Sequence, residues 1–150
     1  MASFLYTTWK AQCMEGTVPL EINNLYVMLM QSTYTTVSAA GTAHDFRNDI
    51  TTYEVTAGGT TGYTTGGVSM GVTAANTVTY DLTNNLGSWD SADVSWASAY
   101  ITARFAAVYK STGAATTDPL VCCFDFGQDY TASNGTFTIQ WSTSGLMRLS

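Results

Sequence analysis

The stretch Ala99-Tyr-Ile-Thr-Ala-Arg-Phe-Ala-Ala-Val-Tyr109 decides the fold class, because every odd position in it is apolar. Thr102 and Arg104 occupy even positions, and Lys110 follows just beyond. Side chains alternate across a pleated strand, so this period of two marks a strand with one buried face. The pattern recurs outward in both directions. Phe137, Ile139 and Trp141 alternate with Thr136, Thr138, Gln140 and Ser142. Val78, Tyr80 and Leu82 alternate with Thr77, Thr79, Asp81 and Thr83, and Val68, Met70 and Val72 with Ser69, Gly71 and Thr73. Val18–Ile22 and Leu25–Met30 also read as strands. The second is apolar on both faces, which predicts a central or interfacial position. Turn signals separate these runs. Asn84-Asn-Leu-Gly87 and Ser133-Asn-Gly135 carry residues that tolerate positive φ, and Asn-Gly is a strong hairpin signal. A longer polar loop, Lys110 to Asp118, is closed by Pro119 ahead of the run Leu120–Phe126. Short strands at this spacing predict an all-β fold, an antiparallel β-sandwich of jelly-roll-like form.

Composition agrees. The 150 residues include 26 threonines, 13 serines and 13 glycines, with only 11% charged. That excludes a coiled coil, a long helical bundle and a charged disordered tail. One domain of 16.1 kDa is long enough to bury a substantial core. The net charge is −6, and the five basic residues (Lys10, Arg47, Arg104, Lys110, Arg148) are scattered. Nucleic-acid binding needs clustered cations, and an anionic membrane would repel this chain, so neither is an expected partner. Met1–Tyr6 has neither the basic start nor the apolar stretch of a signal peptide, and no run approaches the ~20 apolar residues of a spanning helix. Cys13, Cys122 and Cys123 are an odd set with two neighbours on opposite strand faces, which predicts reduced, core-filling thiols and a cytoplasmic origin.

At most one short helix is expected, with Ala43–Tyr53 the candidate because Phe46 and Ile50 lie four apart. Residues 1–17 read as an extended N-terminal arm bearing Phe4, Leu5, Tyr6 and Trp9, and residues 18–150 as a single sandwich domain. The Gly-rich stretch 57–67 lacks the Lys and Ser or Thr of a phosphate loop. It reads as a surface excursion in which Tyr63 either anchors the loop or touches a partner.

No catalytic constellation emerges. His44 is the only histidine, and its neighbour Asp45 is badly placed to orient it toward a nucleophile. Asp125 with Asp129, or Asp90 with Asp93, offers paired carboxylates or oxygen ligands for calcium, without the spacing of an EF-hand. Turn and cap roles suit these aspartates better. Asn134-Gly-Thr136 matches a glycosylation acceptor and reads as a turn. No catalytic, cofactor-binding or metal-binding residue is therefore assigned.

Three segments carry a family resemblance. They are His44-Asp-Phe-Arg-Asn-Asp-Ile-Thr-Thr-Tyr-Glu-Val55 with the following Gly62-Tyr-Thr-Thr-Gly-Gly67; Asp93-Val-Ser-Trp96 with Ile101–Lys110; and Pro119–Gly127 with Gly135–Trp141. In this order they resemble small proteins encoded among the structural genes of tailed bacteriophages, over most of residues 40 to 149. The resemblance implies a non-enzymatic virion protein, made in the host bacterial cytoplasm and resident in the virion. It implies a capsid decoration (cement) protein that clamps the major capsid protein, often as a trimer, or alternatively a tail component (tube, adaptor, or fibre- or baseplate-associated), with host saccharide as an optional ligand. A polysaccharide-cleaving enzyme is the weakest reading.

Nineteen aromatics and a two-faced apolar strand exceed what one small sandwich needs, which predicts surface shared with other molecules. The candidate partner or self-contact residues are Phe4, Leu5, Tyr6, Trp9, Tyr26, Met28, Met30 and Tyr63.

Overall fold

The computed structural model describes residues 3–20, 24–36, 43–56, 62–71 and 77–150. It is an all-β, sandwich-like fold of two antiparallel sheets. The strands are β1 (Phe4–Leu5), β2 (Leu25–Met30), β3 (Val68–Ser69), β4 (Thr77–Asp81), β5 (Leu86–Asp90), β6 (Val94–Lys110), β7 (Leu120–Ile139) and β8 (Met147–Leu149). The larger sheet has the order β1-β7-β6-β2-β3 and the smaller β4-β5-β8, a division of five and three. Trp89 of β5 and Met147 of β8 join the same core as the large sheet, which is how the two sheets meet.

The alternating stretch 99–109 lies in β6, which pairs along its length with β7 to form a long hairpin. The chain reverses at residues 111–119, as the polar loop predicts, and the Asn134-Gly135 step does not turn the chain. It lies inside β7, where Asn134 has φ 59°. Ser98 on β6 also has a positive φ, 51°. Each strand inserts one residue here, so the two bulges cancel. Trp96 faces Phe137 before them and Tyr100 faces Ser133 after them, in one register. A wider bulge sets Arg104 against 126–129, between the pairs Ala103–Tyr130 and Phe105–Asp125, and Gly127 takes φ 84° within it.

β2 lies inside the sheet, between β6 and β3, and its own chain covers it. Leu25, Val27, Met28, Leu29 and Met30 are all fully buried. The surface expected to be completed by a partner at Met28 and Met30 is thus completed internally. Past the short β3, loop groups close the outer edge of β2. The Val55 amide donates to Leu29 O, the Gln31 amide to Tyr53 O, and the Leu29 amide to the Tyr63 hydroxyl.

The N-terminal segment is not an extended arm. Phe4 and Leu5 pair with Cys123 and Cys122, and Thr7–Glu15 forms an α-helix, α1, that packs on β7. Gly16 ends the helix with φ 70°, where the Gly16 amide donates to Cys13 O and the Thr17 amide to Gln12 O. Tyr6 and Trp9, offered above as anchors on a neighbour, are 0% and 1% exposed. The physical reason is that α1 buries one side chain, Trp9, and so leaves no apolar periodicity to read. The helix expected at 43–53 is two 3₁₀ turns, Arg47–Asp49 and Thr51–Tyr53. The predicted strand Val18–Ile22 runs into residues outside those described. Of the Gly-rich stretch 57–67, only 62–67 is described, and of the alternating run 68–73, Val72 and Thr73 are not.

Candidate functional site

Most carboxylates of the turns and loops are held as structural acceptors. Asp49 Oδ2 accepts from the Asp45 and Phe46 amides at 3.0 and 3.2 Å. Asp90 accepts from the Ser91 amide, and Asp93 from the Trp141 amide, both at 2.9 Å. Asp125 Oδ1 accepts from the Gly127 amide at 2.8 Å and from Arg104 Nε at 3.2 Å. Asp129 is exposed on the neighbouring bulge. His44 Nδ1 lies 3.2 Å from the Tyr34 hydroxyl, which also meets the Tyr6 hydroxyl at 2.9 Å. Among the described residues no three His, Cys, Asp or Glu side chains could hold a metal. Nor is any described helix long and apolar enough to cross a membrane. Cys122 and Cys123 are buried and burial pushes both thiols up, so they stay protonated core residues.

One polar network fixes the loops to the sheet. The Tyr63 hydroxyl donates to Glu54 Oε1 at 2.9 Å, and the Gly66 amide donates to the same oxygen. Tyr109 donates to Gly66 O at 2.7 Å beneath the Arg47 guanidinium, 5.0 Å above its ring. Arg47 Nε donates to Asp118 Oδ2 at 2.8 Å, while the Thr112 amide donates to Asp118 Oδ1 at 2.6 Å. Tyr63 is therefore an anchor, 5% exposed, rather than a contact residue.

Burial would raise the Asp118 pKa, but the Thr112 amide and Arg47 together hold it below the ordinary 3.8. A lowered carboxylate stabilises the fold above its ordinary pKa, and that stabilisation is lost as pH falls through the lower folded-state value. Asp118→Asn is expected to cost about 1–2 kcal/mol at neutral pH. It should also lessen the decline in Tm between roughly pH 5 and pH 2, read by thermal melts of both proteins across that range. Glu54 has the opposite sign: burial raises its pKa, so its protonation favours the fold as pH falls.

Two surfaces remain open. The first is β4 with the turn after it, exposed on both faces along Thr77–Tyr80. Val78, Tyr80 and Leu82, expected to face the core, are 47%, 80% and 86% exposed, with Leu149 of β8 nearby at 50%. The strand forms as predicted, but no described residues cover this face. The second is a groove of about 650 Å³ whose lining residues all come from 126–140, including Phe126, Tyr130 and Phe137. Consecutive side chains of one strand point to opposite faces, so a groove lined by such a run lies along the strand's edge. Neither surface was among the candidate contact residues. Of those, Phe4, Leu5 and Tyr26 are partly buried against the core, and Tyr26 stacks on Tyr109 with ring centroids 5.8 Å apart. No protein-family model matches this chain, and no match was found among curated proteins or solved structures.

Proposed function

We propose that this chain is a non-enzymatic structural protein of a bacteriophage virion, a decoration (cement) protein that binds between major capsid subunits as a homo-oligomer. The observation that carries the reading is the outward apolar face of Val78, Tyr80 and Leu82. Soluble proteins rarely leave a contiguous apolar stripe bare, and such stripes mark interaction sites. The stripe sits on a short hairpin tied down at its turn, where Asp81 accepts from the Thr83 and Asn84 amides. A preformed surface of this kind loses little entropy on docking. Asp90, Asp93 and Asp125 accept from backbone amides, which supports a binding role over a hydrolytic one. A ligand that binds only the assembled shell stabilises it by mass action, so many weak copies suffice.

The test is co-sedimentation with empty, expanded capsids that lack tails. The protein is expected to bind them, and the double substitution Tyr80→Ser and Leu82→Ser to weaken binding at least tenfold while leaving the fold intact. Failure of the folded protein to bind such capsids would overturn the decoration reading. Rings of six or long polymers in solution would instead favour a tail component.

A further inference from the structure

We propose that β7 pairs edge to edge, antiparallel, with β7 of a second copy of this chain, across a two-fold axis, along residues 130–139. β6 covers one edge of β7. On the other edge β1 pairs only with Cys122 and Cys123, and no described strand follows it along 124–139. An unpaired edge presents backbone donors and acceptors as a template for another strand. Of the devices that usually guard such an edge, residues 126–140 contain no Lys, Arg or Pro, and the one present is the Asn134 bulge, which divides the edge into 130–133 and 135–139. The edge groove runs along this same stretch.

Three features select a second copy as the occupant. An antiparallel strand is its own complement under a two-fold axis, so no second surface has to be invented. Asp129 is the only charged side chain in 126–140, while each whole chain carries −6. Two copies therefore meet where their mutual repulsion is least. The bulge at 126–129 bounds the slot at one end. Trp141, drawn to Asp93 and to Ala92 O by hydrogen bonds of 2.9 Å, bounds it at the other. Residues 130–139 lie within these bounds, on a strand that bends at its bulges rather than running straight. Ser133, Thr136 and Thr138 are exposed on this run, and cross-strand hydroxyl pairs are favourable. The pairing is independent of the capsid reading and would hold equally in a tail component.

The test is sedimentation equilibrium in reducing buffer, because Cys13 is an exposed free thiol. The expected result is a reversible species of twice 16.1 kDa. Ser133→Lys with Thr136→Lys sets like charges directly opposite each other, because a two-fold through the middle of 130–139 places 133 against the partner's 136, and should raise the dimer dissociation constant at least tenfold. Both positions are exposed, so the circular dichroism spectrum and Tm should be unchanged. Amide exchange at 130–139 should slow with rising concentration in the wild type and not in the double variant. A monomer throughout, a trimer, or a dimer indifferent to the lysines but dispersed by Tyr80→Ser and Leu82→Ser would each overturn the proposal. So would a protein that stays monomeric and shows slowed exchange at 130–139 only with a neutral oligosaccharide.

Discussion

Gly67→Ala is expected to leave no stably folded protein at 25 °C, or to cost more than about 4 kcal/mol, the range reserved for gross steric failure. Gly67 has φ 81°, and a Cβ there would sit 1.8 Å from Val27 O and 2.6 Å from its carbonyl carbon. The obstacle is backbone in the middle of β2, which cannot swing aside as a side chain would. Gly113→Ala is the control. Its φ is 100°, but a Cβ there meets nothing within 4 Å. It should cost only the left-handed backbone penalty, about 1–2 kcal/mol. Urea titrations of the two variants read the contrast, and equal losses at both sites would show that contact with β2 is not what makes Gly67 special.

Trp9→Ala is expected to destabilise the chain by about 3–5 kcal/mol, as deletions of large buried aromatics do. Trp9 is 1% exposed and is the one residue by which α1 joins the core. Without it the helix has little to hold it, since Met14 is 85% exposed and the other side chains of α1 stay outside the core. The same substitution on a detached arm would leave the stability of the free protein unchanged. Chemical denaturation at two protein concentrations separates the cases, because an arm acting on a neighbour would reveal itself only through association.

The strands that carry the fold were legible because their pattern is local. Ile101, Ala103 and Phe105 face inward with Thr102 outward, as the alternation reads. Reversals were harder to place. Asn134-Gly135 has the chemistry of a turn, yet Ser98, opposite it, absorbs the extra residue and the strand continues. No local rule reports that compensation. The apolar stripe of β4 shows the converse limit: alternation reveals that Val78 and Tyr80 share a face, not whether anything lies over it. Leu25–Met30 was expected to be central or interfacial and proves interior, next to the edge strand β3; its covering groups come from Tyr53, Val55 and Tyr63, which only the folded chain brings together. The Arg47–Asp118 pair spans 71 residues and leaves no trace in either local segment. The edge of β7 was missed because its threonines and serines look like ordinary solvent-facing positions, and exposure of backbone is not written in side chains.

The hydroxyl of Tyr63, standing in at the Leu29 amide where a neighbouring strand would otherwise bond, has a consequence for growth. With the loop groups of Tyr53 and Val55 it occupies the bonding groups of Leu29 and Gln31, the stretch that β3 does not reach. A sheet open at both margins would recruit copy after copy into a ribbon. With that stretch stoppered, the pairing proposed at β7 would meet no open run of β2 on the opposite side from which a fibre could grow.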